Sequence, residues 1–329
     1  MSGPTRLVDR KRSVAQGSHL GFGEDLSMRL QENDIRPEEL IRGQQECITR
    51  DLARLLAQAG EFVEVSCPAC FSKNRRFRFQ KNRIQYQECL SCRTLYVSPR
   101  PSAEILEKWY QAAEIYQYWN RVVFPASEKA RRESIFKPRV DRVIEFCQSH
   151  EIAPKALLEV GAGFGTFCEE MQSRHFFESI TAIEQTADLA ATCRGKGIET
   201  IELPVEKVQL DRRFEVIVNF EVIEHLFSPV EFLRACYELL ASGGLFVVTC
   251  PNGEGFDIKL LQHLSDSVDH EHLNYFNLSS LASLLESVGF KVLERQTPGK
   301  LDADIVRNKI LSGEFRCDQD PFLKEILLD

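Results

Sequence analysis

The sequence predicts an α/β fold with a doubly wound, mostly parallel sheet, and three observations support this class. An apolar run from Ala156 to Val160 indicates a short buried strand. That run leads directly into glycines at alternate positions, and a helical pattern follows them. Beyond the glycines, apolar runs and helical patterns alternate, as they do when helices cover both faces of a sheet.

The composition is that of an ordinary globular protein. The chain has 329 residues and a net charge of -8, so we expect one domain with an accessory region and no nucleic-acid binding by the surface as a whole. No apolar run approaches the ~20 residues of a membrane span, and we expect no membrane insertion. Eleven cysteines without a signal-peptide core at residues 1–16 indicate the reducing cytoplasm. The oligomeric state is left open.

The N-terminal region, residues 1–62, is expected to hold one helix and a peripheral stretch. Residues 1–33 are expected to be poorly ordered or peripheral. A packing helix is predicted from Pro37, a residue suited to a first turn. The apolar residues on its predicted buried face are Leu40, Ile41, Ile48, Leu52, Leu55 and Leu56.

Residues 63–100 contain two Cys-x-x-Cys pairs at a separation typical of a four-thiolate zinc site. The pairs are Cys67 with Cys70 and Cys89 with Cys92. The alternating residues between them predict a small hairpin, so we expect a zinc ribbon. Four thiolates leave no open coordination position, which makes the predicted Zn²⁺ structural. Four unrelated thiols and a redox dithiol are the alternatives.

Basic residues crowd the predicted ribbon, with only Glu88 to balance them between positions 73 and 93. They are Lys73, Arg75, Arg76, Arg78, Lys81, Arg83 and Arg93. Three interpretations stay open: binding of RNA or another polyanion, binding of a phosphate-bearing small substrate or carrier, and a solvated hairpin without a ligand.

Residues 101–138 follow a proline-rich linker and carry many aromatic residues at helical spacing. Aromatic residues in such a pattern most often form a core. Tyr116, Tyr118 and Trp119 are nevertheless candidates for a helical lid over a ligand, or for contacts to a substrate ring.

The glycine stretch has the form acid-x-Gly-x-Gly-x-Gly and consists of Glu159, Gly161, Gly163 and Gly165 with their neighbours. Glycine permits a tight turn and lets a ligand approach the backbone. A nicotinamide or flavin fingerprint would need another glycine where Thr166 stands, and a P-loop would need Gly-Lys-Ser/Thr. A glycine turn without a ligand is the remaining alternative.

Five further strands are predicted at 179–183, 199–203, 214–220, 244–250 and 290–295. The first of these is followed by Glu184. An acid at this place can accept hydrogen bonds from both hydroxyls of a ribose, so Glu184 predicts a nucleoside ligand without specifying the reaction. A surface acid at a strand end is the alternative.

Four motifs in one order resemble class I S-adenosylmethionine (SAM) dependent methyltransferases over about residues 140–296. They are the glycine stretch, residues 219–226 (NFEVIEHL), residues 243–252 (GGLFVVTCPN) and residues 270–276 (HEHLNYF) with the Gly-Phe at 289–290. The resemblance implies that residues 139–329 form a SAM-binding domain. It also implies that Glu159 and the backbone of Gly161, Gly163 and Gly165 hold the methionine end, that Glu184 holds the ribose, and that the backbone of Asn219 and Phe220 lies at the sulfonium.

Methyl transfer requires an aligned nucleophile and the removal of one proton, for which histidine is suited. His225, just past the fourth predicted strand, is one candidate base, with helix capping as its alternative. His272 is the second candidate, with Glu271 beside it in the sequence. A metal trio of His270, Glu271 and His272 is disfavoured, because adjacent residues on a strand point to opposite faces.

The ribbon, the lid and the segment 270–276 together resemble zinc-containing sugar methyltransferases of bacterial polysaccharide and deoxysugar pathways. In some of these, a histidine and a tyrosine assist deprotonation of a sugar carbon, and Glu271, His272 and Tyr275 would correspond to that group. Those C-methyltransferases carry a further C-terminal domain, so O-methylation of a sugar or glycan precursor is supported at least as well. The family's seventh, antiparallel strand also has no match after Arg295. We therefore expect a truncated chain or a sheet edge covered by a partner or another element.

Two other functions stay open. An RNA methyltransferase of the ribosomal type would use the basic ribbon to bind its substrate, although the total charge is acidic. A non-catalytic SAM-fold binding module is the second, although the glycine stretch and Glu184 are intact.

Overall fold

The computed structural model describes residues 38–299, 301–318 and 320–328. Its strands are β1 (Arg75–Lys81), β2 (Ile84–Cys89), β3 (Leu95–Val97), β4 (Ala156–Val160), β5 (Ser179–Ile183), β6 (Glu199–Ile201), β7 (Phe214–Phe220), β8 (Leu240–Thr249) and β9 (Asn274–Tyr275). They form a five-stranded parallel sheet and a four-stranded antiparallel sheet. The expectation for residues 1–33 and the predicted helix start at Pro37 lie outside the described residues.

Helices surround the two sheets. They are α1 (Glu38–Leu56), α2 (Ala103–Ala112), α3 (Glu114–Tyr118), α4 (Phe124–Arg131), α5 (Lys137–Ser149), α6 (Thr166–Ser173), α7 (Ala187–Gly195), α8 (Pro229–Leu239), α9 (Phe256–Leu261), α10 (Leu278–Val288), α11 (Asp302–Leu311) and α12 (Pro321–Leu328). Short π-helical segments at Trp119–Val123 and Arg132–Phe136 make the stretch from α3 to α5 nearly continuous.

The parallel sheet has the strand order β6-β5-β4-β7-β8, with β4 at its centre. Because successive side chains of a strand point to opposite faces, β4 contributes to two cores. Leu158 packs into the cluster that contains residues of α8 and α10, whereas Leu157 packs into the cluster that contains residues of α5 and α6. Helices therefore cover both faces, and the predicted doubly wound fold class is confirmed.

The prediction of a sixth strand at 290–295 is wrong. Phe290 stacks on Phe246 of β8 at a centroid distance of 5.0 Å, so the apolar side chains of this segment do pack. Its backbone, however, is irregular, and β8 is the edge of the parallel sheet among the described residues. A strand needs a partner for its backbone groups. No seventh strand supplies one within 301–318, where the chain forms α11 instead.

The antiparallel sheet joins the predicted ribbon to the C-terminal half of the chain. Its order is β1-β2-β3-β9, and β9 comes from the motif at 270–276. Leu95 of β3 pairs with Tyr275, and Tyr96 pairs with Asn274. The sheet thus crosses between the predicted units at 63–100 and 139–329, and it fixes the motif relative to the ribbon.

A buried arginine strengthens the same junction. Arg100 is only 1% exposed, and its guanidinium donates hydrogen bonds to the carbonyl oxygens of Val97 (2.9 Å), Phe227 (3.2 Å) and Leu273 (3.3 Å). Burial lowers the pKa of Arg100 to about 10, because the charged form has lost its water. One side chain therefore ties the linker after β3 to two loops of the parallel-sheet half.

The aromatic residues of 101–138 divide between packing and contacts to the rest of the molecule. Trp109 is buried with Ile105 and Ile115 against α1. The buried carboxylate of Asp51 in α1 accepts hydrogen bonds from the first backbone N–H groups of α3, those of Glu114 and Ile115, at 3.0 and 2.9 Å. These contacts cap α3 and hold the region against α1.

Candidate active site and metal centre

The four cysteines predicted as zinc ligands converge in space. The Sγ atoms of Cys67 and Cys92 are 3.5 Å apart, as are those of Cys70 and Cys89, and all four lie within 4.8 Å of one another. Four sulfurs at about 2.3 Å from a tetrahedral ion would lie roughly 3.8 Å apart. The arrangement therefore fits one ion bound by four thiolates.

The two turns that present these sulfurs have the same geometry. In each, the backbone N–H of the residue after the second cysteine (Phe71 and Arg93) donates to the carbonyl oxygen of the first cysteine at 2.9 Å. Both residues have left-handed backbone, with φ of 61° and 65°. Each turn aims two sulfurs inward, which is why so short a sequence can supply half of a metal site.

The basic run of the ribbon is largely paired. Arg76 and Arg78 share the carboxylate of Glu88, at 2.9 and 3.4 Å. Arg75 pairs with Glu64, and Arg93 pairs with Glu254 at 2.9 Å. Exposed pairs of this kind add little stability, but they reduce the positive potential that a polyanion would meet. The interpretation as a solvated hairpin gains from this pairing.

The glycine stretch forms a turn between β4 and α6 in which the middle glycine faces open space. All three glycines have positive φ. A Cβ on Gly161 would come within 2.3 Å of Val222, and one on Gly165 within 2.8 Å of Ile198, so packing requires glycine at both positions. A Cβ on Gly163 would meet nothing within 4 Å. Gly163 thus borders a space that a ligand could occupy.

Glu184 closes one side of that space. Its carboxylate accepts hydrogen bonds from the backbone N–H groups of Gly163 and Thr186, each at 2.8 Å. Burial raises the pKa of Glu184, and these two N–H groups partly offset that rise. The structure therefore brings the second-strand acid into direct contact with the glycine turn.

Glu159 lies beneath the turn at the end of β4. It is 3% exposed, and its carboxylate accepts a hydrogen bond from the Cys168 thiol at 2.9 Å. Burial raises the pKa of Glu159 to about 8, and the Cys168 hydrogen bond only partly opposes the rise. A cation placed beside this carboxyl would favour its ionised form.

Asn219 and Phe220 end β7 beside the glycine turn. The Asn219 side-chain amide donates to the carbonyl oxygen of Val160 at 2.9 Å, which ties β7 to β4. The Phe220 ring packs on Phe167 at 4.9 Å, with the Arg139 guanidinium 4.8 Å from its centroid. Both side chains thus position the end of β7 beside β4 and the glycine turn.

After β7 the chain turns sharply, and residues 223–225 approach the segment 270–276. Glu221 has positive φ of 56°, and Val222 packs against Gly161. A single 3-10 turn, Ile223–His225, follows. The amide of Asn274 then donates to the carbonyl oxygens of residues 223, 224 and 226 at 3.3, 3.2 and 2.7 Å. This network fixes the segment 270–276 against the turn after β7.

The two predicted histidines meet as a result. The rings of His225 and His272 are 4.6 Å apart in an edge-to-face arrangement. Burial, with a smaller contribution from His272, lowers the pKa of His225 to about 3, so its imidazole is neutral at physiological pH. His272 directs Nδ1 at the carbonyl oxygen of Ser267 (3.2 Å) and lies 3.4 Å from Asp269.

Glu271 and Tyr275, the other two predicted catalytic residues, have different surroundings. Tyr116 of the lid region donates its hydroxyl hydrogen bond to Glu271 Oε2 at 2.7 Å. Burial and the charge of Asp269 raise the pKa of Glu271 to about 8. Tyr275 is fully buried, and its hydroxyl bonds to the Ser267 carbonyl and the Asp269 N–H at 3.3 and 3.1 Å. Glu271 thus contacts the lid, whereas the Tyr275 hydroxyl is occupied.

The three lid candidates make separate contacts. Tyr116 reaches Glu271, as described. Tyr118 donates to the Leu40 carbonyl at 3.0 Å and so packs on α1. Trp119 packs on Phe124 at 5.1 Å, and Phe124 in turn lies 5.3 Å from Phe164 in the glycine turn. The helical region therefore reaches both the glycine turn and the histidines.

The side chains of His270, Glu271 and His272 do not converge as a metal trio within the described part of the chain, but strand geometry is not the reason, because residues 270–272 lie in the loop before β9. The His270 ring instead packs edge-on against Trp109 at 5.6 Å. Glu224, His225 and His272 converge there instead. Sequence analysis did not identify Glu224, Asn274 or Arg100 as site residues. Their importance depends on contacts between segments far apart in the chain, for which one sequence carries no signal.

The parallel sheet, the glycine turn and the acid after β5 define a domain of the class I SAM-dependent methyltransferase type. The family description "Methyltransferase domain" matches residues 130–295, just over half of the chain, and the chain belongs to that family. Within the described residues, no helix has the length and apolar character needed to cross a membrane.

Three relatives show how far the similarity extends. A probable SAM-dependent methyltransferase of Mycolicibacterium smegmatis is 35% identical over 91 residues, which are 28% of this chain and 32% of that protein. A ubiquinone biosynthesis O-methyltransferase of Caulobacter sp. (strain K31) is 37% identical over 102 residues, covering 29% and 40%. The C-methyltransferase NovU of Streptomyces niveus is 28% identical over 148 residues, covering 43% and 34%. The chain spans between about a third and two fifths of the length of these curated relatives.

Proposed function

We propose that this protein is a SAM-dependent methyltransferase that acts on a small-molecule acceptor, with a sugar or glycan precursor as the first candidate. The observation that carries the proposal is the position of Gly163. Gly163 borders open space, and its backbone N–H donates a hydrogen bond to Glu184, the acid proposed to bind the ribose. Gly161, two residues earlier, packs on Val222, which lies three residues before His225 in the chain.

The residues present fit SAM at this place. Glu159 and the backbone of Gly161, Gly163 and Gly165 would hold the methionine end, since a buried carboxyl can pair with its ammonium group. Glu184 would accept hydrogen bonds from the ribose hydroxyls. The backbone of Asn219 and Phe220 would border the sulfonium. Bound SAM supplies a methyl group that the sulfonium has already activated.

The acceptor then belongs on the side of His225, His272 and Glu271. These residues line the region between the turn after β7 and the lid, where Tyr116 is bonded to Glu271. Their polar atoms can orient an acceptor hydroxyl and accept its proton. Tyr275 acts by position: its hydroxyl fixes the loop at Ser267 and Asp269 that supports His272.

Between the two sugar reactions, the geometry favours O-methylation. A tyrosine that assists deprotonation at a sugar carbon needs a hydroxyl free to contact substrate, and that of Tyr275 is buried and bonded. The O-methyltransferase and C-methyltransferase relatives each match less than half of this chain, so neither decides the atom. An RNA substrate is less well supported, because ion pairs of Arg75, Arg76, Arg78 and Arg93 reduce the positive potential of the ribbon.

The four cysteines are proposed to hold a structural Zn²⁺. Their donor set is of the soft thiolate type that Zn²⁺ favours, and four protein ligands complete a tetrahedral ion. In that role the ion stabilises the ribbon and the strand β3 that pairs with β9. It takes no part in methyl transfer.

The proposal is tested by transfer of labelled methyl from SAM. The full chain is incubated with a panel of nucleotide-linked and lipid-linked sugars and, separately, with ribosomal RNA. We expect label in the sugar fraction with the native protein, and at least about a hundredfold less with Gly163→Arg, whose side chain fills the cofactor space. Label found only in RNA would contradict the sugar acceptor and identify the protein as an RNA methyltransferase. A folded protein that binds SAM but labels no acceptor class would favour a non-catalytic module.

A further inference from the structure

Glu224 is an anomaly that methyl transfer by itself does not explain. Its side chain is completely buried, and neither carboxylate oxygen has a hydrogen-bond partner among the described residues. A buried carboxylate without partners costs several kcal/mol if it is ionised. Such a group is either neutral or close to a cation.

Two imidazoles converge on the same point. Nε2 of His225 lies 3.9 Å from Oε1 of Glu224, and Nδ1 of His225 is buried without a hydrogen-bond partner. One ligand atom from each of Glu224, His225 and His272 lies within 4.8 Å of the others. Ligands about 2.1 Å from a shared ion lie roughly 3–4 Å apart, so a closing movement of about 1 Å would complete the contact.

His272 has the outer contacts that a metal ligand requires. Its Nδ1 faces the Ser267 carbonyl oxygen at 3.2 Å, which makes Nδ1 the protonated nitrogen and leaves the lone pair on Nε2. Asp269 lies 3.4 Å from the same Nδ1. Asp269 is itself held by the backbone N–H groups of Glu271 and His272, both at 2.9 Å. A carboxylate or carbonyl behind a ligating histidine fixes its tautomer and orientation.

We propose that Glu224, His225 and His272 bind one divalent transition-metal ion, separate from the ion at the four cysteines. Two imidazole nitrogens and one carboxylate suit Zn²⁺, Fe²⁺, Mn²⁺ or Co²⁺ better than Mg²⁺ or Ca²⁺, which prefer oxygen ligands. Three protein ligands leave coordination positions open for water or for an acceptor oxygen.

The site would lie next to the proposed cofactor space. Val222, two residues before Glu224, packs on Gly161, and Asn274 pins the backbone of residues 223–226. With the two histidines as ligands, Glu271 is left as the neighbouring side chain that can exchange a proton with the acceptor. The inference does not depend on the proposed function, since it concerns an ion held by three side chains.

The experiment is a Co²⁺ titration of the full chain with its cysteine-bound metal retained. Thiolate ligands give cobalt an intense charge-transfer absorption that nitrogen and oxygen ligands do not, so the spectrum distinguishes the two sites. We expect the native protein to bind one equivalent of Co²⁺ without that band. Glu224→Gln and His272→Gln should each weaken this binding at least about tenfold. His263→Gln, which removes an exposed histidine, is the matched control and should bind as the native protein does.

Thermal unfolding separates lost binding from lost folding. Co²⁺ should raise the melting temperature of the native protein and leave that of Glu224→Gln unchanged. Without metal, Glu224→Gln should melt no lower than the native protein, because the amide replaces an unpartnered carboxyl of the same shape. Absence of cobalt binding outside the cysteine site, or binding unaffected by Glu224→Gln, would overturn the proposal and make Glu224 a protonated buried acid. S-adenosylhomocysteine binding by the same samples reports on the proposed function independently.

Discussion

At the scale of single residues, the proposed site depends on acids whose burial changes their protonation. Glu159 is buried beneath the glycine turn, and its pKa is raised to about 8, because water no longer stabilises the ionised form. At neutral pH the carboxyl is therefore mostly protonated until a cation such as the ammonium of SAM approaches. If Glu159 holds that ammonium group, as proposed, binding of SAM is coupled to the release of one proton.

This link gives a prediction for the pH dependence of stability. The folded-state pKa of Glu159 lies above its unfolded value near 4.5, so the folded protein holds the proton more tightly. Its contribution to the free energy of unfolding is complete below pH ~4.5 and is lost as pH rises through about 8, with a slope of up to about 1.4 kcal/mol per pH unit between them. Urea unfolding from pH 5 to 9 should show this slope.

Glu159→Gln is the matched comparison, because the amide has nearly the same shape and no proton to lose. Its free energy of unfolding should fall less steeply with pH, and the difference in slope between the two proteins should be that of one proton, up to about 1.4 kcal/mol per pH unit. Equal slopes in the two proteins would mean that Glu159 is ionised in the folded state at neutral pH. In that case the proposed proton release on SAM binding would be wrong.

At the scale of elements, the ribbon and the parallel-sheet half are joined by one antiparallel sheet. Strand β3 follows the second cysteine pair and pairs with β9, which begins two residues after His272. Arg100 adds hydrogen bonds from the linker to Phe227 and Leu273. Order in the two cysteine turns is therefore expected to reach the candidate active site through backbone pairing.

Loss of the ion proposed at the four cysteines should loosen a defined part of the molecule. In Cys67→Ala we expect faster amide hydrogen exchange in β2, β3 and β9, with exchange in β4 and β5 nearly unchanged, because the parallel sheet has its own core. Exchange measured by mass spectrometry on peptides from each strand checks this. Cys147→Ala, which truncates a buried cysteine of the other core, is the control and should spare β9. Unchanged exchange in β9 of Cys67→Ala would contradict the expectation that order in the ribbon stabilises the candidate active site.

At the scale of the whole molecule, features encoded locally were predictable and features made by distant contacts were not. The strand before Gly161, the glycine turn and the two cysteine pairs are each contained within a few residues, so spacing alone indicated them. The strand predicted at 290–295 has the right apolar pattern, but a strand must also pair its backbone groups with a neighbour, and this segment pairs with neither β8 nor any other described strand. Glu224 becomes notable only when the segment carrying Asn274 encloses it.

For the whole molecule, the proposal that matters most is that SAM binds in the space next to Gly163. Calorimetric titration of the full chain with S-adenosylhomocysteine tests it most directly. We use Gly163→Ala as the variant and Gly243→Ala as its control. Gly243 also has positive φ and open space around it, so both variants place alanine in a left-handed backbone conformation. Gly243 lies near the start of β8, at the end of the sheet opposite the glycine turn.

We expect one binding site for S-adenosylhomocysteine in the native protein and in Gly243→Ala. In Gly163→Ala we expect binding at least about tenfold weaker, because the added methyl group enters the ligand's space. Absence of binding by the folded native protein, or equal affinity in Gly163→Ala and Gly243→Ala, would contradict the claim that this glycine turn holds the cofactor.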